Sequence, residues 1–232
     1  MNILAFDTSG PVLSVALQCG DTPIQEKTHF GSWEHMENLL PFADKLLRAS
    51  QITINQVDCF IMNRGPGSFT GLRVGFATLK GLIAFDPKPC FSCDSLDALA
   101  ERIPTDDKKK LAVCLDAFRS KFYVKIFENK KGHWIPCSES QAIEMNQALQ
   151  TIPENSLITG DALKRYKNNF ENASQKNFYI TPEELWFPRA SSLIRIYKNH
   201  PDQIKKLISS DDFLPSYLRL SEPEERKAEL KK

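Results

Sequence analysis

The chain has 232 residues, 41 % of them hydrophobic and 25 % charged, which is the balance of a globular protein with room for one large or two small domains. Thirty basic and 29 acidic side chains leave a net charge of +1, which excludes the strongly basic footprint of a principal nucleic-acid binder. Met1 leads straight into a strand with no basic-then-apolar leader, and no apolar run approaches the length of a membrane span, so a cytoplasmic setting is expected.

Ile3 to Phe6 reads as a short apolar strand ending at Asp7-Thr8-Ser9-Gly10, and Gly10-Pro11 marks a turn. Leu13, Val15 and Leu17 alternate with Ser14, Ala16 and Gln18, the period of a half-buried strand. Gly20 to Pro23 turns the chain again, and Ile24 to Phe30 makes a third strand, so an antiparallel meander is expected. Asp7, Thr8 and Ser9 are small polar residues at a strand end, able to reach a phosphate or its metal. They are equally suited to an Asx or Ser/Thr turn with no ligand.

Ser32 is a candidate N-cap for a helix from Glu34 to Arg48, in which Met36, Leu39, Leu40, Ala43, Leu46 and Leu47 share one face. Pro41 inside it should kink the helix or limit its first part to a turn. His35 has Leu39 four residues on, so it lacks a helical metal partner. Asp58 to Asn63 is a buried strand, and Arg64-Gly65-Pro66-Gly67-Ser68-Phe69-Thr70-Gly71-Leu72-Arg73-Val74-Gly75 follows. Leu72, Phe76, Leu79 and Ile83 then recur at helical spacing from Phe69 to about Phe85. Gly65 and Gly67 suit φ > 0 in the turn, and Gly71 and Gly75 lie on one helix face where another backbone or helix can approach. The helix N-terminus could take an anion. No Walker Lys-Ser or Lys-Thr is present, however, and Thr70 stands where a dinucleotide fingerprint would need glycine. A tight turn with close packing competes with the anion reading.

Cys90 to Ser92 is a short strand, and Ser95 caps a helix through Arg102. Cys90 and Cys93 are spaced as a C-x-x-C pair, but no second pair or nearby histidine pair completes a zinc site, and two free thiols are expected. Thr105 to Lys110 is a charged break and a candidate domain boundary. Leu111 to Leu115 is a strand ending at Asp116, and Phe122, Val124 and Ile126 alternate in the next. This strand-turn-strand echoes the N-terminus after about 110 residues, far beyond solenoid periods. Gly132 to Ile135 reads as a strand, and Ser138 with Gln141 forms a capping-box pattern opening a helix to about Leu149. Leu157 to Thr159 is a strand, a helix with Leu163 and Tyr166 follows Gly160-Asp161, and another near Ser191 to His200 turns Leu193, Ile194 and Tyr197 inward. The expected domains are 1–104 and 105–220, with the last helix able to pack back on the first domain, and a charged tail over 221–232.

Gly65 to Gly75 resembles the signature of the TsaB (YeaZ) family, bacterial partner of TsaD in making threonylcarbamoyladenosine on tRNA. His35-Met36-Glu37-Asn38-Leu39-Leu40-Pro41 resembles that family's His-Ser-x-x-Leu-Leu-Pro segment, with Met36 in place of Ser. Asp116-Ala117-Phe118-Arg119, Gly160 with Tyr166, and Pro215-x-Tyr217-x-Arg219 resemble later segments more loosely. The resemblance implies an α/β fold of two actin-like (ribonuclease-H-like, sugar-kinase-like) domains, the second short and divergent. It implies a non-catalytic subunit that binds and activates TsaD together with TsaE, touches tRNA only indirectly, and has no catalytic residue or cofactor of its own beyond an ATP or ADP contact in the assembled complex. A homodimer through the same helices is compatible with it. TsaD-type relatives carry a His-x-x-x-His metal motif where this chain has Cys93 to Ala98 without histidine, so no metal is expected. Asp94 and Asp97 suit a helix N-terminus instead.

The alternative is an active ATPase or sugar-kinase-like phosphotransferase, using Asp7, Thr8, Ser9, Arg64, Gly65 and Gly67 as a phosphate or nucleotide loop. It lacks a second phosphate loop and clearly spaced metal carboxylates. A metalloprotease is opposed by the missing histidines, since catalytic zinc takes three protein ligands. Both helices carry apolar residues on more than one side, which calls for cover beyond the core. The expected partner anchors are Leu39, Phe42, Leu46, Gly71, Leu72, Gly75, Phe76 and Leu79, against the reading in which both stripes are simply core.

Overall fold

The computed structural model describes residues 1–31, 35–105, 107–117, 120–173, 176–209 and 212–216, with His35 and Met36 as helix backbone only. β1 (Asn2–Asp7) pairs antiparallel with β2 (Val12–Cys19), and β2 with β3 (Gln25–Phe30), the expected meander. Helix α1 (His35–Ala49) leads to β4 (Cys59–Asn63), which lies parallel to β1 on its other side. Helix α2 (Phe69–Ile83) leads to β5 (Cys90–Cys93), parallel to β4. β1 and β4 are covered on both faces, so they read as continuous apolar runs rather than alternating ones.

After the short helix α3 (Ser95–Ala100) the plan repeats. β6 (Lys110–Asp116) pairs antiparallel with β7 (Lys121–Lys130), and β7 with β8 (His133–Pro136) and β9 (Gln141–Glu144). Helix α4 (Met145–Thr151) precedes β10 (Leu157–Thr159), parallel to β6, and helix α5 (Leu163–Glu171) precedes β11 (Tyr179–Ile180), parallel to β10. Helix α6 (Ala190–Asn199) then returns to the first sheet, where β12 (Lys205–Leu207) adds antiparallel to β5. The α6 N-terminus is fixed there because Ala190 N donates to Ser14 Oγ at 2.9 Å and Ser191 N to Glu26 Oε1 at 2.8 Å. The two-sheet α/β fold expected from the sequence is thus present, with strand order β12-β5-β4-β1-β2-β3 in one sheet and β11-β10-β6-β7-β8 in the other.

Helices α1 and α2 cover one face of the first sheet, over Leu4, Phe6, Val15, Phe60 and Met62, and α6 covers the other, over Ile3, Ala5 and Ile61. In the second sheet one face packs α4 and α5, and the other packs Leu96, Leu99 and Ala100 of α3. Helix α3 is therefore the seam between the two sheets.

Four local expectations change. The residues after Ser138 form β9, not a helix, because Lys121 to Val124 of β7 pair with them; Ser138 Oγ accepts from Ile126 N at 2.9 Å, and Glu144 N donates to Gln147 Oε1 at 3.3 Å at the start of α4. The cap of α3 is Asp94, whose Oδ1 accepts from Leu96 N at 2.7 Å, rather than Ser95. Helix α1 runs through Pro41, which sits on its exposed side where water can take the carbonyl that loses its partner. Gly65 has φ +98° as expected, whereas Gly67 does not lie in the left-handed region. Ser32, Phe118, Arg119, Tyr217, Arg219 and the tail over 221–232 lie outside the described residues.

Candidate functional site

The ends of β1 and β4 place Asp7 beside Asn63. Asn63 Nδ2 donates to Asp7 Oδ2 at 2.6 Å and to Ser9 Oγ at 3.1 Å. Its Oδ1 accepts from Gly65 N at 2.9 Å and from Ser95 Oγ at 2.8 Å. Asp7 Oδ1 takes Ser9 N at 2.9 Å and Ser9 Oγ at 2.7 Å, an Asx-turn closure. Asp7, Thr8 and Asn63 are fully buried. Burial pushes the Asp7 carboxyl up, against the hydrogen bonds from Asn63 and Ser9, and the charge of Glu26 adds to the rise. Asp7 and Ser9, two of the polar residues the sequence offered to a phosphate, are thus bound to each other and to Asn63, whereas the Thr8 hydroxyl is buried without a hydrogen-bond partner among the described residues. Asn63, the hub of this circuit, was missed by the sequence reading; its signal is a polar residue closing an apolar strand directly before the glycine loop.

The glycines explain why the loop can lie so close. A Cβ on Gly67 would run into the Ser9 carbonyl, one on Gly71 into the Thr8 carbonyl, and one on Gly75 into Met62 and the Thr8 hydroxyl. What approaches Gly71 and Gly75 is therefore the chain's own sheet. Ser68 Oγ caps α2 by accepting from Gly71 N at 3.2 Å, and Ser68 N donates to the Ser9 carbonyl at 2.6 Å. Arg64 leaves this circuit and acts on Asp94 and Asp97 instead.

Between the two sheets lies a cleft of about 440 Å³. Ser9, Pro11, Ser68 and Phe69 face Asp116, Asp161 and Lys164 across it. Asp161 Oδ1 accepts from Asp116 N at 2.8 Å. Burial pushes the Asp161 carboxyl up to about 6, opposed by the Asp116 amide, raised again by the Asp116 charge and lowered by Lys164. The Lys164 ammonium stands 4.8 Å from the Phe30 ring centroid and 4.9 Å from that of Phe187. Of the predicted loop, Ser9 and Gly67 reach the cleft, while Asp7 and Thr8 lie behind it.

Leu39, Leu46, Leu72, Phe76 and Leu79 are at most 3 % exposed, and Gly71 and Gly75 are buried as well. In the single chain these expected partner anchors are core residues: α1 and α2 lie side by side, and their stripes of three and four spacing face the sheet. Phe42 is half-buried. The outer apolar surface at these helices comes from other residues: Leu40 is 49 % exposed, Phe85, just past the end of α2, is fully exposed, and Leu82 and Ile83 are half-buried. Leu40, Leu47, Ile52, Ile54 and Leu82 line a groove of about 460 Å³ beside them.

The segment where the resemblance places a metal motif does not fit a metal. Cys93, Asp94 and Asp97 share it with the ammonium of Lys125, 2.7 Å from Asp97 Oδ1. Cys90 and Cys93 are free thiols on opposite faces of β5, one in each core layer of the first sheet, so the C-x-x-C spacing does not make a redox pair. Burial pushes Cys90 up to about 12, as expected of an inert thiol.

Residues 29–187 match the family described as TsaD: tRNA N6-adenosine threonylcarbamoyltransferase. The tRNA threonylcarbamoyladenosine biosynthesis protein TsaB of Haemophilus influenzae is 28 % identical over 232 residues, covering 94 % of each chain, and that of Bacillus subtilis is 27 % identical over the whole of both. YeaZ from Pseudomonas aeruginosa superposes with a TM-score of 0.77 at 21 % identity, covering 93 % of this chain and 99 % of that one. A second Pseudomonas aeruginosa structure, described as similar to peptidase YeaZ, gives 0.79 at 22 % identity, covering 94 % and 99 %; both likenesses concern the fold. No described helix is long and apolar enough to cross a membrane. With two thirds of its length inside that match and relatives matched over 94–100 % of both chains, the chain belongs to the tRNA N6-adenosine threonylcarbamoyltransferase family, on its TsaB (YeaZ) branch.

Proposed function

We propose that this chain is a non-catalytic subunit in the synthesis of threonylcarbamoyladenosine on tRNA, one that binds and activates a TsaD-type enzyme together with TsaE. The observation that carries the non-catalytic part is the closed circuit of Asp7, Ser9, Asn63 and Ser95: the carboxylate nearest the glycine loop is spent on internal hydrogen bonds. An ATPase or phosphotransferase needs that carboxylate or its equivalent turned toward a metal-bound phosphate. The names of the relatives supply the pathway. A net charge of +1 favours contact with tRNA through the partner rather than by this chain.

The partner face is the outer surface of α1 and α2, anchored by Leu40, Leu82 and Phe85 in place of the buried residues first expected. Exposed large apolar groups beside a groove are what a docked helix covers. Leu40→Asp and Phe85→Asp should leave the melting temperature within a few degrees of wild type, because Leu40 is half exposed and Phe85 fully exposed. Each should cut co-purification with TsaD at least about tenfold, as loss of an interface anchor does, and should lower modification by the reconstituted TsaD–TsaE system in parallel. Undiminished TsaD binding by both variants would remove this face from the proposal. Modification by TsaD and TsaE at full rate without this chain would remove the activating role.

A further inference from the structure

Asp94 and Asp97 stand apart from both the cleft and the helical face. They are 8 % and 6 % exposed, at the start of α3 where it meets the second sheet. Two carboxylates withdrawn from water at one place need a counter-charge. It comes from the other sheet. Lys125, in the middle of β7, puts its Nζ 2.7 Å and 2.9 Å from the two oxygens of Asp97, with the Lys125 side chain only 12 % exposed. The Phe127 ring centroid lies 5.7 Å from the same Nζ. Asp94 is held by Leu96 N and, from the loop just before β9, by Ser140 Oγ at 3.3 Å. From the first sheet's side, Arg64 of the glycine loop and Cys93 of β5 act on the pair.

We infer that Lys125 is the built-in counter-ion of the Asp94–Asp97 pair, fastening the second sheet to helix α3 by charge and filling the place a divalent ion would need. A metal at the usual carboxylate distance, about 2.0–2.5 Å from Asp97 oxygens, would sit against the ammonium and be repelled by it. Burial and the neighbouring Asp94 push the Asp97 carboxyl up to about 6, against Lys125 and Arg64. The Asp94 carboxyl is raised as well, by burial first. Both therefore favour their neutral form more in the folded chain than in the unfolded one. Their contribution to stability is greatest below the unfolded carboxylate range and falls as pH rises toward 6. Removing Lys125 pushes both carboxyls higher still and deepens the loss above that pH.

The test is denaturant unfolding of the full chain at pH 8 and pH 5. At pH 8, Lys125→Met should raise the unfolding equilibrium constant at least about 100-fold, the size seen when one partner of a buried pair is removed. At pH 5, where the pair can hold protons, the same substitution should cost less than about tenfold. The double variant Lys125→Met with Asp97→Asn should recover most of the loss at pH 8, and it keeps the test open if the single variant does not fold there. Zn²⁺ or Mn²⁺ should not raise the wild-type melting temperature. Equal losses for Lys125→Met at both pH values, a wild-type response at pH 8, no recovery in the double variant, or metal stabilisation abolished by Asp97→Asn would each overturn the inference.

Discussion

At the end of β1 the carboxylate of the first strand, Asp7, is held by the residue that closes the neighbouring parallel strand, Asn63, 2.6 Å away. At the matching end of β6 the roles reverse: Asp161, just past β10, takes the backbone amide of Asp116 at 2.8 Å. Both junctions use glycine to bring backbone against backbone, Gly67 on the Ser9 carbonyl and Gly160 on the Cys114 carbonyl. The first junction is sealed behind Pro66 to Thr70 with its carboxylate inside. The second leaves Asp116 and Asp161 on the wall of the cleft. Two copies of one strand plan have thus diverged into a junction whose carboxylate is hydrogen-bonded inside and an acidic one that faces the cleft. A symmetric phosphate clamp would instead turn both junctions toward a shared ligand.

The sharpest way to break the comparison is through the glycines. Gly160 sits at φ +116°, and a Cβ there would also meet Cys114 backbone atoms. Gly160→Ala should therefore combine backbone strain with a clash and cost at least about 3 kcal/mol in urea unfolding. Gly67→Ala carries the clash without the positive φ and should cost about 2 kcal/mol. Gly10, with open space around it, is the internal control, and Gly10→Ala should stay within about 0.5 kcal/mol of wild type. A Gly67 variant as stable as the Gly10 variant would show that the first junction is looser than its geometry.

Asn63→Ala probes the sealed junction itself. It removes the four hydrogen bonds of the side chain and leaves the Asp7 carboxyl buried with Ser9 alone. About 2–3 kcal/mol should be lost at pH 7. The loss should shrink as pH falls, because Asp7, already raised by burial, can then be carried protonated. A loss that does not change with pH would mean that the carboxylate finds another donor.

Much of the fold was legible because its signals are local. Alternation in Leu13 to Leu17 and the apolar run of Cys59 to Met62 fix strands, and Leu72, Phe76 and Leu79 fix a helix and the face it buries. Strands β11 and β12 carry two and three residues and no periodicity, so nothing in the sequence marks them. Gln141 to Glu144 misled because a capping-box spacing also fits a strand when a long partner such as β7 is there to pair with it. The burial of the expected anchors was hidden for a related reason. Periodicity shows that a helix has an apolar stripe, but which stripe faces the sheet depends on how α1 and α2 sit together. Asn63 and Lys125 act across 56 and 28 residues of sequence, and no spacing rule joins them to Asp7 and Asp97.

A smaller effect is expected from the Asp161 carboxyl at the open junction, and its sign separates the two carboxylates. Asp161 is raised to about 6, chiefly by burial. In the unfolded chain the same carboxyl titrates near its ordinary value, about 3.9. The folded state therefore binds the proton more tightly, and stability from this group falls as pH rises from about 4 to 6 and is flat above. Asp161→Asn keeps an oxygen for the Asp116 amide and removes the titration. The variant should equal or exceed wild type above pH 7, by on the order of 1 kcal/mol, and lose that advantage near pH 4. Melting curves from pH 4 to 8 would record the crossing. A deficit relative to wild type that grows as pH rises would mean that the Asp161 charge itself holds the second junction together, as hydrogen bonds from Asn63 hold the first.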